Sequence, residues 1–312
     1  FPADTAIVRG EAKRIAGHPT TMSNSKPGAQ NTALSRVSAQ VDELLGIFRH
    51  VPPSPTLNHA VRYLSTWGGT DKVLMITQYG SQIVMPLLAA LHRLRHRLQL
   101  TKQTESNIVP KIYNLYAVVA DARILFRIWG LLPILQWMIS MERTPPPTKL
   151  LQQLERLQGW SMVLYCPMEA LAYLAMHKVI TLSNETQNKL WLWGCRFWAF
   201  YVVLQFAHLV EDNRLLRMRA RALERSRGHP PPEPKDGEQA PVSEETQLTR
   251  RMWADLAERK DAILNELWVN IGYLPLTLHW SVSTGLIPEV WVGVFGTIAA
   301  AAGLRSGWKA SA

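Results

Sequence analysis

Cysteine is nearly absent. Cys166 and Cys195 are the two in 312 residues, both inside apolar runs, which argues against a disulfide framework and offers no metal-ligand spacing. The motifs of common active sites are missing too. No Gly-rich phosphate loop, nucleophile elbow, paired-Cys zinc signature or His-Glu-x-x-His occurs, so no catalytic residue, cofactor or metal is assigned and the chain does not read as an enzyme. His92 and His96 lie four apart on a helix, but the interleaved Arg93, Arg95 and Arg97 repel a cation. The first fifty residues lack the apolar stretch of a secretory signal, and the chain reads as intracellular. Acidic residues are in deficit, with 24 Asp and Glu against 34 Lys and Arg, a net charge of +10 and a pI near 9.8. That excess calls for an anionic partner, either phospholipid headgroups or nucleic acid.

Apolar residues make up 47% of the chain and include twelve Trp, yet the mean hydropathy is −0.05. This balance suits a protein half in lipid and half in water. At its C-terminal end a charged amphipathic stretch, 250–270, runs into Leu274-Pro-Leu-Thr-Leu-His-Trp-Ser281 and then a glycine-spaced apolar segment, 286–304. Gly293, Gly296, Ala300, Gly303 and Gly307 recur at three-four spacing and line one helix face, a stripe that lets another helix approach closely. Arg305, Trp308 and Lys309 follow as headgroup-level anchors. Residues 190–210 are apolar apart from Arg196 and reach about 30 Å as a helix, the thickness of the hydrocarbon layer. Arg214, Arg217, Arg219, Arg221, Arg225 and Arg227 come next, which puts that side in the cytosol. Residues 160–182 are a weaker span, interrupted by Pro167, Glu169, His177 and Lys178.

These features divide the chain into a disordered arm at 1–53, cytosolic-face helices at 54–143, a membrane hairpin with a basic extension at 148–226, a Pro-rich linker at 227–246 and C-terminal helices at 247–312. Ser54 and Pro55 cap a helix that Gly68-Gly69 breaks and Thr70-Asp71 restarts, giving an N-terminal helical hairpin. A helix over 108–141 carries Ile108, Ile112, Leu115, Val119, Ala122 and Phe126 on one face, with Arg123 and Arg127 at its edge, placed to snorkel towards phosphates. An amphipathic helix covering a soluble core fits the same pattern, and Ile124 and Ile128 lie on the opposite side. The fold class is all-α: a membrane-associated bundle with two to four membrane helices. Residues 160–182 pair with 190–210, and 263–283 with 286–304, although Asn265, Glu266, Asn270 and Pro275 make 263–283 a costly span.

Two stretches carry a resemblance. Leu57-Asn-His-Ala-Val-Arg-Tyr-Leu-Ser-Thr66 with Thr70-Asp-Lys-Val-Leu-Met-Ile-Thr-Gln-Tyr79 is similar to the opening pattern of the peroxisomal biogenesis factor 11 family, specifically fungal relatives near its gamma type. Leu274 to Ser281, then Gly293-Val-Phe-Gly-Thr-Ile298 and Gly303-Leu-Arg-Ser-Gly-Trp308, resembles the closing pattern, and Arg196-Phe-Trp198 resembles the middle helix. The resemblance spans roughly 57–308. It implies a peroxisomal membrane protein with cytosolic termini that elongates the organelle before fission, self-associates and recruits the division machinery. It also implies a membrane-remodelling helix, at Lys111, Ile112, Leu115, Val119, Arg123, Phe126 and Arg127. The partners expected are therefore an anionic bilayer, a second copy and division proteins, not nucleic acid. The helix carries fewer cations than the family's strongest examples, and the Pro-rich linker is unusual. A solute channel built on Arg196, Glu169 and His208 is the alternative.

Overall fold

The structure, a computed structural model, describes residues 41–103, 106–229 and 243–312. Most of the expected N-terminal arm and Pro-rich linker lies outside the described residues. The chain divides between Ser54 and Pro55 into two units. In the first, a one-turn 3-10 helix covers Ile47–His50, and Leu44, Leu45 and Phe48 are exposed.

Among its described residues the second unit is entirely helical in its regular structure. Its helices are α1 (Pro55–Leu64), α2 (Trp67–Arg97), α3 (Val109–Arg127), α4 (Leu131–Arg143), α5 (Lys149–Met176), α6 (Asn184–Arg227), α7 (Glu244–Trp280) and α8 (Glu289–Ala310). Side-chain caps set several starts: Thr66, Thr148, Ser183 and Ser243 accept from the backbone N–H groups of Gly69, Leu151, Thr186 and Thr246, each satisfying a donor that the first turn leaves unpaired. The break expected at Gly68-Gly69 falls earlier, at Ser65-Thr66. Thr66 is the cap, and Gly69 belongs to the first turn of α2 because a Cβ there would overlap the Tyr63 carbonyl. The expected helix over 108–141 is two helices, joined by a 3-10 turn at Ile128–Gly130.

Six helices close a ring. Each of α2, α3, α5, α6, α7 and α8 packs on the next, and α8 returns to α2. Side-chain pairings show that every neighbour runs antiparallel. Asp71 meets Arg123 while Gln82 meets Tyr116; Arg127 meets Glu169 while Asp121 meets Tyr173; Ser161 meets Phe197 while Glu155 meets His208. On the other half, Asp212 meets Arg259 while Arg196 meets Ser281, Asn265 meets Ala302, and Gln82 meets Glu289 while Lys72 lies against Gly303. The short connections 177–183, between α5 and α6, and 281–288, between α7 and α8, favour antiparallel neighbours there. Outside the ring, α1 docks through His59 and Tyr63 on Trp308. Helix α4 lies on α5, where Met138 covers Gly159 and Arg156 pairs with Glu142.

The densest core sits where α2, α7 and α8 meet: Met75, Tyr79, Leu276, Val292, Ala299 and Ala300. Small residues make that approach possible. A Cβ at Gly296 would overlap the Tyr79 ring, and one at Gly272 would lie 2.6 Å from the Phe295 carbonyl oxygen. Beyond the ring α6 and α7 continue as a pair held by Leu209, Leu216 and Ile263. Midway along α7, Asp261 accepts from Arg305 at 2.8 Å and from Lys309 at 2.9 Å, and these cations hold its carboxyl down at about 2.

By length and composition, α2, α6 and α8 are the described helices apolar enough to cross a membrane. Two of them were expected. Helix α2 was not, since 54–143 was expected to hold cytosolic-face helices; its end charges, Asp71 with Lys72 and the cluster 92–97, bracket an uncharged, largely apolar run over 73–91. Residues 160–182 and 263–283, expected as hairpin limbs, belong to α5 and α7, whose polar residues keep them outside that set.

The Tyr79 seat gives a direct stability test. Gly296→Val should destabilise the protein by about 1–3 kcal/mol, the usual range for an overpacked core, and lower its thermal unfolding midpoint in detergent. Gly68→Ala, where an added Cβ meets nothing within 4 Å, should leave the midpoint unchanged or raise it.

Candidate membrane-contact site

Helix α3 has two unlike faces. The inner one carries Val119, Arg123 and Arg127, which fall close together at 3.6 residues per turn. Arg123 is 6% exposed and donates to Asp71 at 2.8 Å and to Gln78 at 2.6 Å, both on α2. Arg127 grips both oxygens of Glu169 on α5, at 3.0 and 2.7 Å, and the Tyr165 hydroxyl donates to the same carboxylate. Nearly two turns earlier Asp121 accepts from Tyr173 and pairs with His177. Glu169 is buried, so leaving it without Arg127 would strand a desolvated charge. These links tie α3 to both of its ring neighbours.

The outer face is apolar and continuous with that of α4. Val118, Leu125 and Phe126 on α3, Trp129 in the connecting turn, and Leu132, Leu135 and Ile139 on α4 are all exposed. Trp129 is 72% exposed and Leu132 62%. A run of large apolar side chains along one side of two consecutive helices is far more than scattered surface hydrophobes. Phe126 packs edge-on against Trp67, itself exposed at the start of α2, which extends the patch.

Of the residues expected to bind lipid, the structure therefore gathers only some on the outside. Lys111, Leu115 and Phe126 are exposed and Ile112 is half-buried, whereas Val119 and Arg123 are buried and Arg127 turns to Glu169. The outward face lies roughly 80° round the axis from the expected stripe, at about 100° per residue. Carboxylates on α2 and α5 claim the two arginines. One signal was available: Glu169 stands in an apolar run and needs a cation.

The small-residue stripe is occupied within the chain. Gly293 and Gly296 lie against Tyr79, Gly303 against Lys72 and Gly307 against Tyr63, and Ala300 is fully buried. A second copy would have to meet this protein on another surface. The residues of the channel alternative are not brought together either. Arg196 donates to the Ser281 carbonyl and covers Trp193, and His208 bonds to Glu155. Glu169 instead lines a cavity of about 540 Å³ inside the ring, which neither Arg196 nor His208 reaches.

An all-helical ring with three span-length helices and a long exposed apolar face belongs to the class of helical membrane proteins. The family model described as peroxisomal biogenesis factor 11 (PEX11) matches residues 57–308, and the chain belongs to that family, a peroxisome biogenesis family whose members act at the peroxisomal membrane in organelle proliferation. An uncharacterized protein of Schizosaccharomyces pombe is 25% identical over 137 residues, 44% of this chain and 49% of that protein. The match thus spans about half of the curated relative's length. No solved structure matches.

The Arg127–Glu169 pair, buried on its carboxylate side, is open to a double-mutant cycle. Arg127→Leu alone should cost about 3–5 kcal/mol, because Glu169 loses its cation in a buried setting, while Arg127→Leu with Glu169→Leu should recover much of that loss. Equal destabilisation by the single and double variants, measured by chemical unfolding in detergent, would contradict the pairing.

Proposed function

We propose that this protein remodels the peroxisomal membrane, resting the apolar face of α3 and α4 in the cytosolic leaflet while the helical ring holds it in place. The observation that carries this reading is the continuous exposed face through Leu125, Trp129, Leu132 and Ile139 on an element pinned from behind by Arg123 and Arg127. Moving such side chains from water into acyl chains is favourable by about 1–2 kcal/mol each for large residues already half-exposed. Apolar side chains wedged into one leaflet alone expand it relative to the other and bend the bilayer. Lys111 sits at the edge of this surface, where an ammonium meets phosphates while its stem stays with the acyl chains.

In this reading the arginine-rich end of α6 and both termini are cytosolic, since cationic flanks favour that side. The chain acts as a member near the gamma type of the fungal relatives, with elongation of the organelle leading to fission. Association of several copies would concentrate the bending, and proteins of the division machinery would then find the tubule. With the glycine stripe already filled, those contacts use the outer surfaces of the ring or the projecting α6–α7 pair.

The experiment uses full-length protein and anionic liposomes imaged by electron microscopy. Trp129→Asp with Leu132→Asp should abolish tubulation while leaving helical content intact, because both side chains are outside the packed ring. Tubules formed as readily by this variant would overturn the proposal.

A further inference from the structure

We infer that the cavity inside the ring is a binding site for one amphiphilic anion, an acyl chain ending in a carboxylate or phosphate. The charges lining it do not balance. Lys72, Arg123 and Arg127 face Asp71 and Glu169, so one positive charge is in excess. Both carboxylates are already committed. Arg123 takes the two oxygens of Asp71, at 2.8 and 3.4 Å, and Glu169 is shared by Arg127 and the Tyr165 hydroxyl. The surplus cation is Lys72, whose ion-pair partner, at 3.3 Å, is the same Asp71 that Arg123 holds. An ammonium has three donors, and this contact uses one. Its stem packs over Gly303, where an added Cβ would lie 2.9 Å from Cδ, and the residue lines the cavity. A half-buried cation that shares its one carboxylate with a second cation is stabilised by a further anion brought to it.

The remaining walls favour a hydrocarbon tail. Trp191, Trp198 and Trp280 join Met162, Leu190 and Ile124 around the space, and a volume of about 540 Å³ lies within the range of small-ligand pockets, which are largely apolar with a few placed polar groups. The ligand's source is near at hand, because three helices of the ring have span length and apolar composition. At the seam between α3 and α5, polar links such as Arg127–Glu169 and Asp121–Tyr173 bridge the two helices beside the cavity. This site is separate from the outward face of α3 and α4, and its occupancy does not depend on membrane bending.

The test uses full-length protein in phosphatidylcholine nanodiscs and a terminally brominated dodecanoate, with the matching brominated alcohol and a brominated phosphatidate as parallel probes. Bromine quenches tryptophan on contact, and three indoles line the site. The acid or the phosphatidate should give a saturable quench that the alcohol lacks. Saturation by the acid alone assigns a free acyl carboxylate, and by the phosphatidate alone a phospholipid. Lys72→Gln should weaken that binding about tenfold or more, the ratio for losing one charge-assisted hydrogen bond. Cys195→Phe, which fills the cavity, should remove it; Ala120→Leu on the opposite wall serves if the first variant unfolds. Equal quenching by acid, phosphatidate and alcohol would overturn the site, as would wild-type affinity in Lys72→Gln. Neither result would bear on tubulation, which is read separately with the Trp129 variant.

Discussion

Tyr79 is the contact on which the ring depends. Its aromatic ring rests on Gly296 of α8, where no Cβ intervenes, its backbone carbonyl faces Gly293 one turn earlier, and the guanidinium of Arg123 on α3 lies 5.8 Å from the ring centroid. A single side chain of α2 thereby touches both of that helix's neighbours in the ring. Buried aromatic surface is a large stabilising term, and here it is applied at the junction where the beginning and the end of the second unit meet. The glycines matter for the space they leave: α8 comes near enough to α2 for Gln82 to reach Glu289. Closure, in turn, encloses the cavity and fixes which face of α3 looks outward.

The consequence for α3 is a division of labour between faces. Its arginines, which on an isolated amphipathic helix would be free for phosphates, are engaged with Asp71, Gln78 and Glu169. They act as tethers. The apolar side chains left outside, above all Leu125, Trp129 and Leu132, have no partner among the described residues that would cover them. A remodelling helix held this way presents its wedge at a fixed height and angle to the bilayer. Rigid mounting makes the bending effect of each copy reproducible, which loose attachment through snorkelling cations would not.

Much of this was legible in the sequence. The all-helical character, the spans in α6 and α8 and the helix start at Pro55 follow from apolar periodicity and capping residues, which are local properties. The stripe from Gly293 to Gly307 marked a close helix approach, but its spacing says nothing of which helix approaches, and the occupants are Tyr63, Lys72 and Tyr79 of the same chain. The outward face of α3 was misjudged for the same kind of reason. Periodicity placed Val119 and Phe126 together, whereas burial follows from where Asp71 and Glu169 stand in space, and those lie more than forty residues away on either side. Helix α2 was overlooked as a span although its charges are confined to its ends. Long-range pairing, not local pattern, decided the outward face of α3 and the occupants of the glycine stripe.

The account's central claim is the orientation of α3: apolar side out, arginine side in. Nitroxide labels placed singly at Val118, Leu125, Trp129 and Leu132, and at Val119 and Arg123, in protein reconstituted into liposomes measure it directly through collision with oxygen and with a water-soluble nickel complex. The first four positions should show high oxygen and low nickel accessibility, as for side chains among acyl chains, and the last two should be shielded from both. Oxygen-accessible labels at Val119 and Arg123, with nickel-accessible labels at Trp129 and Leu132, would contradict it.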